Sequence, residues 1–112
     1  MSNTRIETIS PTEAATGDDH VLLDVREPDE WTAGHAAGAI HVPLMDLPGS
    51  VDAIPTGRRI VCICRAGGRS ARATEFLVQQ GFEAVNMVGG MTAWAADGHP
   101  VVRDDGGPGS VI

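Results

Sequence analysis

Apolar residues along the chain fall in short continuous runs, and between them lie short stretches with helical spacing. This alternation predicts an α/β domain with a mostly parallel sheet. Arg5 to Ile9 reads as a first short strand, and Ser10-Pro11-Thr12-Glu13 as a capping box with proline opening a helix. His20 to Val25 carries the unbroken run Val21-Leu22-Leu23, suited to a strand buried on both faces. Pro28-Asp29-Glu30-Trp31 opens a second helix, with acidic residues where the macrodipole favours them, and Gly34 and Gly38 break it. Ala39 to Val42 is a third strand that Pro43 ends, and Leu44 to Ile54 has the spacing of broken short helices. The strongest strand is Arg59 to Cys64. A Gly-rich loop follows it, then a helix from about Ser70 to Gln80 whose stripe is Ala73, Phe76 and Leu77 and whose left-handed cap is Gly81. Phe82 to Met87 forms a fifth strand, and Gly89-Gly90 leads into a last helix holding Trp94. Asp104 to Ile112 has little apolar content, so the expectation is one domain over residues 1–104 and a flexible tail over 105–112.

Length and charge narrow the function. The 112 residues suit one core, and no apolar run approaches a membrane span. Fifteen acidic residues against eight basic ones, all arginine, give a net charge of -7. Nucleic acid and anionic membranes, which select clustered positive charge, are therefore poor partners. The start Met-Ser-Asn-Thr-Arg-Ile-Glu has no apolar core of a secretory signal, which makes the cytoplasm the expected location. Two cysteines, Cys62 and Cys64, are too few for a disulfide framework or a structural zinc, and no metal or other cofactor is expected.

The candidate chemistry sits at Cys64. In open α/β sheets ligands bind beyond the carboxyl ends of the strands, and Cys64 ends what should be a central one. Gly67 and Gly68 let the following loop curl so that its N–H groups, with the next helix N-terminus, form an anion nest around the sulfur. Arg65 and Arg69 add positive charge at the rim. An ordinary cysteine is only a few per cent thiolate at pH 7, and lowering its pKa by about two units makes the nucleophile the majority species. Close charges in a low-dielectric pocket outweigh distant screened ones, so an acidic protein can still take an anion here.

The segment CRAGGRSARATEFLVQQGFEAVNMVGGMTAWAADGHPV resembles the C-terminal half of a single-domain rhodanese, and LLDVREPDEWTAGHAAGAIHVPL resembles that family's other hallmark. Together they cover about residues 20 to 102. The resemblance implies a rhodanese-like fold, a five-stranded mostly parallel sheet flanked by short helices on both faces. It implies a thiosulfate sulfurtransferase in which Cys64 takes a sulfane sulfur as a persulfide and passes it to a thiophilic acceptor: cyanide, a thiol or a protein. Arg65 would hold the donor's sulfonate, and the backbone from Arg65 through Ala66, Gly67, Gly68 and Arg69 to Ser70 would surround the sulfur. Asp24 and Arg26 match positions that brace the loop. The loop is Cys-x4-Arg; cysteine phosphatases and arsenate reductases use Cys-x5-Arg, a wider cradle for a tetrahedral oxyanion. The competing class is a sulfur-carrier or regulatory interaction module with little turnover on small molecules.

Other residues read as structural. Cys62 shares a strand face with Cys64 at a spacing too long for a relaxed disulfide. His35 is expected to bond backbone at a turn, and His41 to lie at a surface strand end. His20 and His99 sit at element boundaries, and Trp31 and Trp94 anchor short helices. The short Ala- and Gly-rich domain is expected to be a monomer.

Overall fold

The computed structural model describes residues 6–112. Its main sheet has five strands: β1 (Glu7–Ile9), β2 (His20–Asp24), β4 (Ile40–His41), β5 (Arg59–Ile63) and β6 (Ala84–Met87). They pair in parallel in the order β1-β6-β5-β2-β4. This is the expected fold class. The first strand is shorter than its apolar pattern suggests, and Arg5 lies outside the described residues.

Parallel pairing needs crossovers, and the helices supply them. Helix α1 (Pro11–Thr16) follows β1, α2 (Pro28–Ala33) follows β2, α3 (Gly68–Gln79) joins β5 to β6, and α4 (Gly90–Ala96) follows β6. The Ser10 box forms as read, with Glu13 N–H donating to Ser10 Oγ at 3.1 Å and Ser10 N–H to Glu13 Oε1 at 3.0 Å. Gly81, at φ +94°, ends α3 in the left-handed region as its position predicts. Helix α3 starts two residues earlier than the sequence suggests, so the Gly-rich loop is shorter. Leu44–Gly49 and Val51–Ala53 are 3₁₀ turns, the broken helices of the sequence pattern.

Strand alternation sorts the core into two layers. Leu23, Ile60 and Cys62 point toward α3, where Ala73 and Leu77 meet them and Leu47 and Ile54 of the 3₁₀ turns close the edge. Val61, Ile63, Val85 and Met87 point the other way, against Ala14 of α1 and Met91 and Trp94 of α4. Phe76 packs at the rim of the first layer rather than inside it.

Two expectations change. The segment Ala39–Val42 narrows to a two-residue strand, and a second small sheet appears, with β3 (His35–Ala36) antiparallel to β7 (Val101–Val102). Both are too short to leave a periodic signal. Residues 105–112, expected to be a flexible tail, instead fold back. Gly109 N–H donates to the Val101 carbonyl at 2.8 Å and Ser110 N–H to Ala33 at 2.9 Å, while Val111 packs on the second layer. Composition misses this because the attachment is backbone pairing. A Cβ on Gly109 would stand 2.7 Å from the Gly34 Cα, so two glycines let the chains touch. No described helix is long and apolar enough to cross a membrane.

Candidate active site

Cys64 leaves β5 at the carboxyl edge of the sheet, one residue past the strand, and is 1% exposed. The chain then turns through Gly67 at φ +117°, a left-handed conformation that strains any side chain, and enters α3. This turn aims the Gly67 N–H at Cys64 Sγ, 3.0 Å away, and the first turn of α3 brings the Ser70 hydroxyl to 3.2 Å. Burial pushes the thiol's pKa up. The Ser70 hydroxyl and the N–H groups of Ser70, Gly67 and Ala66 more than offset this, and the net direction is down from the ordinary cysteine value.

The N–H groups can face inward because the carbonyls are engaged outward. Met91 N–H donates to the Cys64 carbonyl at 2.8 Å and Thr92 N–H to the Arg65 carbonyl at 3.0 Å, both from the first turn of α4. Gly90 makes this approach possible. A Cβ there would lie 2.6 Å from the Arg65 carbonyl carbon and oxygen and closer still to the Cys64 oxygen. The Gly89-Gly90 pair is visible in the sequence; its service to the cysteine loop is not.

The structure places the remaining expected site residues unevenly. Arg65 and Ala66 are exposed at the mouth, and Arg65 makes no ion pair among the described residues. Gly68 opens α3 with free space beside it. Arg69 is engaged with α2. Its guanidinium forms a two-pronged pair with Glu30 of α2 at 2.6 and 2.8 Å, holding the Glu30 carboxyl down at about pKa 2. Arg69 therefore ties the loop to α2, its charge matched by Glu30 and still felt at the Cys64 sulfur.

Asp24 and Arg26 also differ from expectation. Both are fully buried and bonded to each other, Nη2 to Oδ2 at 2.7 Å. The second partner of Arg26 is the Gly34 carbonyl at 2.7 Å, so the pair braces the end of α2 rather than the cysteine loop. Its Nη1 is buried and has no hydrogen-bond partner among the described residues.

Cys62 is fully buried on the α3 side of β5, and burial pushes its thiol up to about 12 against a lowering contact from Thr74. It is a small hydrophobe of the core, as its position implies. His35 Nδ1–H donates to the Trp31 carbonyl at 2.9 Å, the turn bond expected of it, and Nε2 faces Asp104 at 3.2 Å. His41 is half-buried, its Nε2–H donating to the Arg26 carbonyl at 2.8 Å. Both imidazoles stack on Trp31, with centroids at 3.5 and 4.7 Å, too close to share one face of the indole, so they sandwich it. Trp94 anchors α4, its Nε1–H bonded to the Pro100 carbonyl at 2.8 Å. His99 meets Thr12 at 3.1 Å, and His20 faces the Ala14 carbonyl. Among the described residues no group of three or more His, Cys, Asp or Glu side chains is placed to hold a metal.

Sequence reasoning missed two residues of the site. Glu30 reads in the sequence only as a helix-opening acid, with nothing to mark it as the partner of Arg69. Asn86, buried in β6, bonds Ser70 and the Gly67 carbonyl. A polar residue inside the apolar run Ala84-Val85-Asn86-Met87 was the available signal.

Comparison with known proteins agrees with this geometry. The chain is 39% identical over 93 residues to a sulfurtransferase of Allochromatium vinosum, covering 82% of this chain and 87% of that one. It is also 39% identical over 94 residues to thiosulfate sulfurtransferase 16, chloroplastic, of Arabidopsis thaliana, covering 72% of this chain and 78% of that one. The crystal structure of a rhodanese-related protein from Thermoplasma volcanium superposes with a TM-score of 0.82 at 34% identity, covering 86% of this chain and 97% of that one. The profile of the rhodanese-like domain matches residues 11–97. With the match spanning the cysteine loop and four of the five strands of the sheet that carries it, the chain belongs to the rhodanese-like domain family.

Proposed function

We propose that the protein is a sulfurtransferase in which Cys64 carries a sulfane sulfur from a small anionic donor such as thiosulfate to a thiophilic acceptor. The observation that carries this reading is the Cys64 sulfur itself. It accepts an N–H and a hydroxyl at the open end of a parallel sheet, with the loop carbonyls tied back. Such a site favours thiolate at neutral pH and stabilises negative charge that remains on sulfur during transfer.

Arg65, exposed at the mouth, holds the sulfonate oxygens of the donor by charge-assisted hydrogen bonds. The Cys64 thiolate attacks the outer sulfur; the S–S bond of thiosulfate breaks, and sulfite leaves with its electron pair. The persulfide's outer sulfur is then attacked by the acceptor (cyanide, a small thiol or a protein thiol), and the Cys64 thiolate is regenerated. No proton or electron is needed from a cofactor. The Cys-x4-Arg spacing supports sulfur over phosphate, because it is one residue shorter than the cradle that a tetrahedral oxyanion takes.

Incubation with excess thiosulfate, followed by desalting and intact mass measurement, tests the reading. A reducible gain of one sulfur atom, absent in Cys64→Ser, is expected. A folded protein with a reactive thiol and no mass gain would overturn the small-donor reading in favour of a protein-fed carrier or a regulatory module.

A further inference from the structure

The Ser70 hydroxyl has one proton and three acceptors within reach: Asn86 Oδ1 at 2.6 Å, Cys64 Sγ at 3.2 Å and the Gly67 carbonyl at 3.2 Å. It can serve one at a time. The Gly67 carbonyl has the weakest claim, since it already accepts Ala71 N–H at 3.1 Å and Asn86 Nδ2 at 3.2 Å. That second bond also fixes the Asn86 amide, because a flipped amide would set two carbonyl oxygens face to face. Asn86 is 7% exposed and Cys64 1%, so the protein itself must supply the partner of each acceptor.

The Ser70 proton has two placements, set by the state of the thiol. With the thiol protonated, S–H donates to Ser70 Oγ and Ser70 O–H donates to Asn86. Once the thiol proton has gone to solvent, the sulfur accepts Gly67 N–H and claims the Ser70 proton too, leaving Asn86 Oδ1 without it. A bond to an ionised acceptor is about twice as strong as a neutral one, so the proton follows the charge. We propose that Asn86 is a positioning residue which, by competing for the Ser70 proton, restrains the ionisation of Cys64. This rests on Cys64 acting as a thiolate. The restraint has a use, since thiol nucleophilicity falls as acidity rises and the best attacking thiol has a pKa near ambient pH. In the persulfide the inner sulfur is neutral and the charge sits on the outer one, so Ser70 returns to Asn86.

The charged groups around the sulfur leave this rotor in control. Helix α3 brings Arg69, already paired with Glu30 of α2, and β2 brings the closed Asp24–Arg26 pair. Arg65 stands at the mouth, Cys62 on the same strand stays protonated, and neither β6 nor α4 carries a charged side chain.

The test is the pH dependence of iodoacetamide alkylation of Cys64, followed by intact mass in the full chain, its N86L and S70A variants and the double variant. N86L moves the midpoint down by about half to one unit, the size of one neutral hydrogen bond. S70A moves it up, and N86L adds nothing in the S70A background. A midpoint raised or unmoved by N86L overturns the proposal. So does an equal shift in the S70A background, which would mean Asn86 acts only through the loop backbone. A second measurement needs no Asn86 variant: the Asn86 side-chain amide in ¹⁵N NMR titrates with Cys64 in the parent and is silent in S70A, and a flat parent titration overturns the proposal as well. Neither experiment uses a sulfur donor, so failure to form a persulfide would be seen separately.

Discussion

Replacing Gly90 by alanine separates what the turn conformation requires from what the cysteine loop requires. Gly90 sits at φ +59° and Gly98, just past α4, at φ +82°, so alanine meets a left-handed backbone at both. That conformation costs an L-residue about 1–2 kcal/mol, partly offset by about 0.5 kcal/mol from a stiffer unfolded chain. At Gly98 nothing lies within 4 Å of the new methyl, so the variant should lose only about 1 kcal/mol. At Gly90 the methyl meets the Cys64 and Arg65 carbonyls, which are backbone and cannot rotate aside. Relief requires α4 to withdraw, breaking the Met91–Cys64 and Thr92–Arg65 bonds at about 1 kcal/mol each. Gly90→Ala should therefore lose about 3 kcal/mol in urea denaturation. Its kcat/KM for sulfur transfer should fall by about tenfold or more, since the freed carbonyls turn the loop dipoles against the thiolate. Equal stability losses at the two glycines would refute the contact argument. A full stability loss with unchanged transfer would refute the link between α4 and the sulfur.

Further outcomes follow from the same geometry. Cys64→Ser should abolish transfer while Cys62→Ser keeps most of it, as a coupled assay with cyanide as acceptor would record; equal loss in two folded variants would indicate a dithiol mechanism. Arg65→Ala should raise KM for thiosulfate with little change in melting temperature, and an unchanged KM would remove Arg65 from the donor site. Glu30→Gln should destabilise the protein by about 1–2 kcal/mol at pH 7, allowing for solvent around the partly exposed Arg69. Because the folded pKa of Glu30 lies below its ordinary value, its contribution is complete above about pH 4.5 and is lost as pH falls toward about 2, so parent and variant should converge over that window.

The cysteine loop was legible because it is local. A β-branched run, a cysteine, two glycines and a helix opening occupy one stretch of chain, and each residue type states a backbone requirement. The capping box at Ser10 and the cap at Gly81 are legible for the same reason. Glu30 was not, since its partner Arg69 is 39 residues away and any exposed helix start favours an acid. Asn86 lies 16 residues from Ser70 and is brought to it only by the β5–β6 pairing. The family resemblance points Arg26 at the loop, whereas its charge is closed against Asp24, a choice between neighbours that the sequence leaves open. The attachment of residues 105–112 escaped because glycine-to-glycine contact uses no side chain, and side chains are what composition counts.

The sandwich of Trp31 between His35 and His41 gives the protein an optical asymmetry. Excited indole is quenched by an imidazole in face contact, and Trp31 has one on each side, at 3.5 and 4.7 Å. Trp94, 4% exposed and tilted 49° from His99 at a centroid distance of 4.9 Å, has no such stack. Emission from the folded protein is therefore expected mainly from Trp94, at the short wavelengths of an apolar site, with Trp31 the dimmer indole. Asp104 accepts from Trp31 Nε1–H and faces His35 Nε2, so the dimmer indole is fastened to the segment where the chain folds back after β7. Loosening that segment removes one anchor of the Trp31 indole and, through Val111, reaches the apolar layer around Trp94 as well. The emission spectrum should therefore respond to the C-terminal strap as well as to the core.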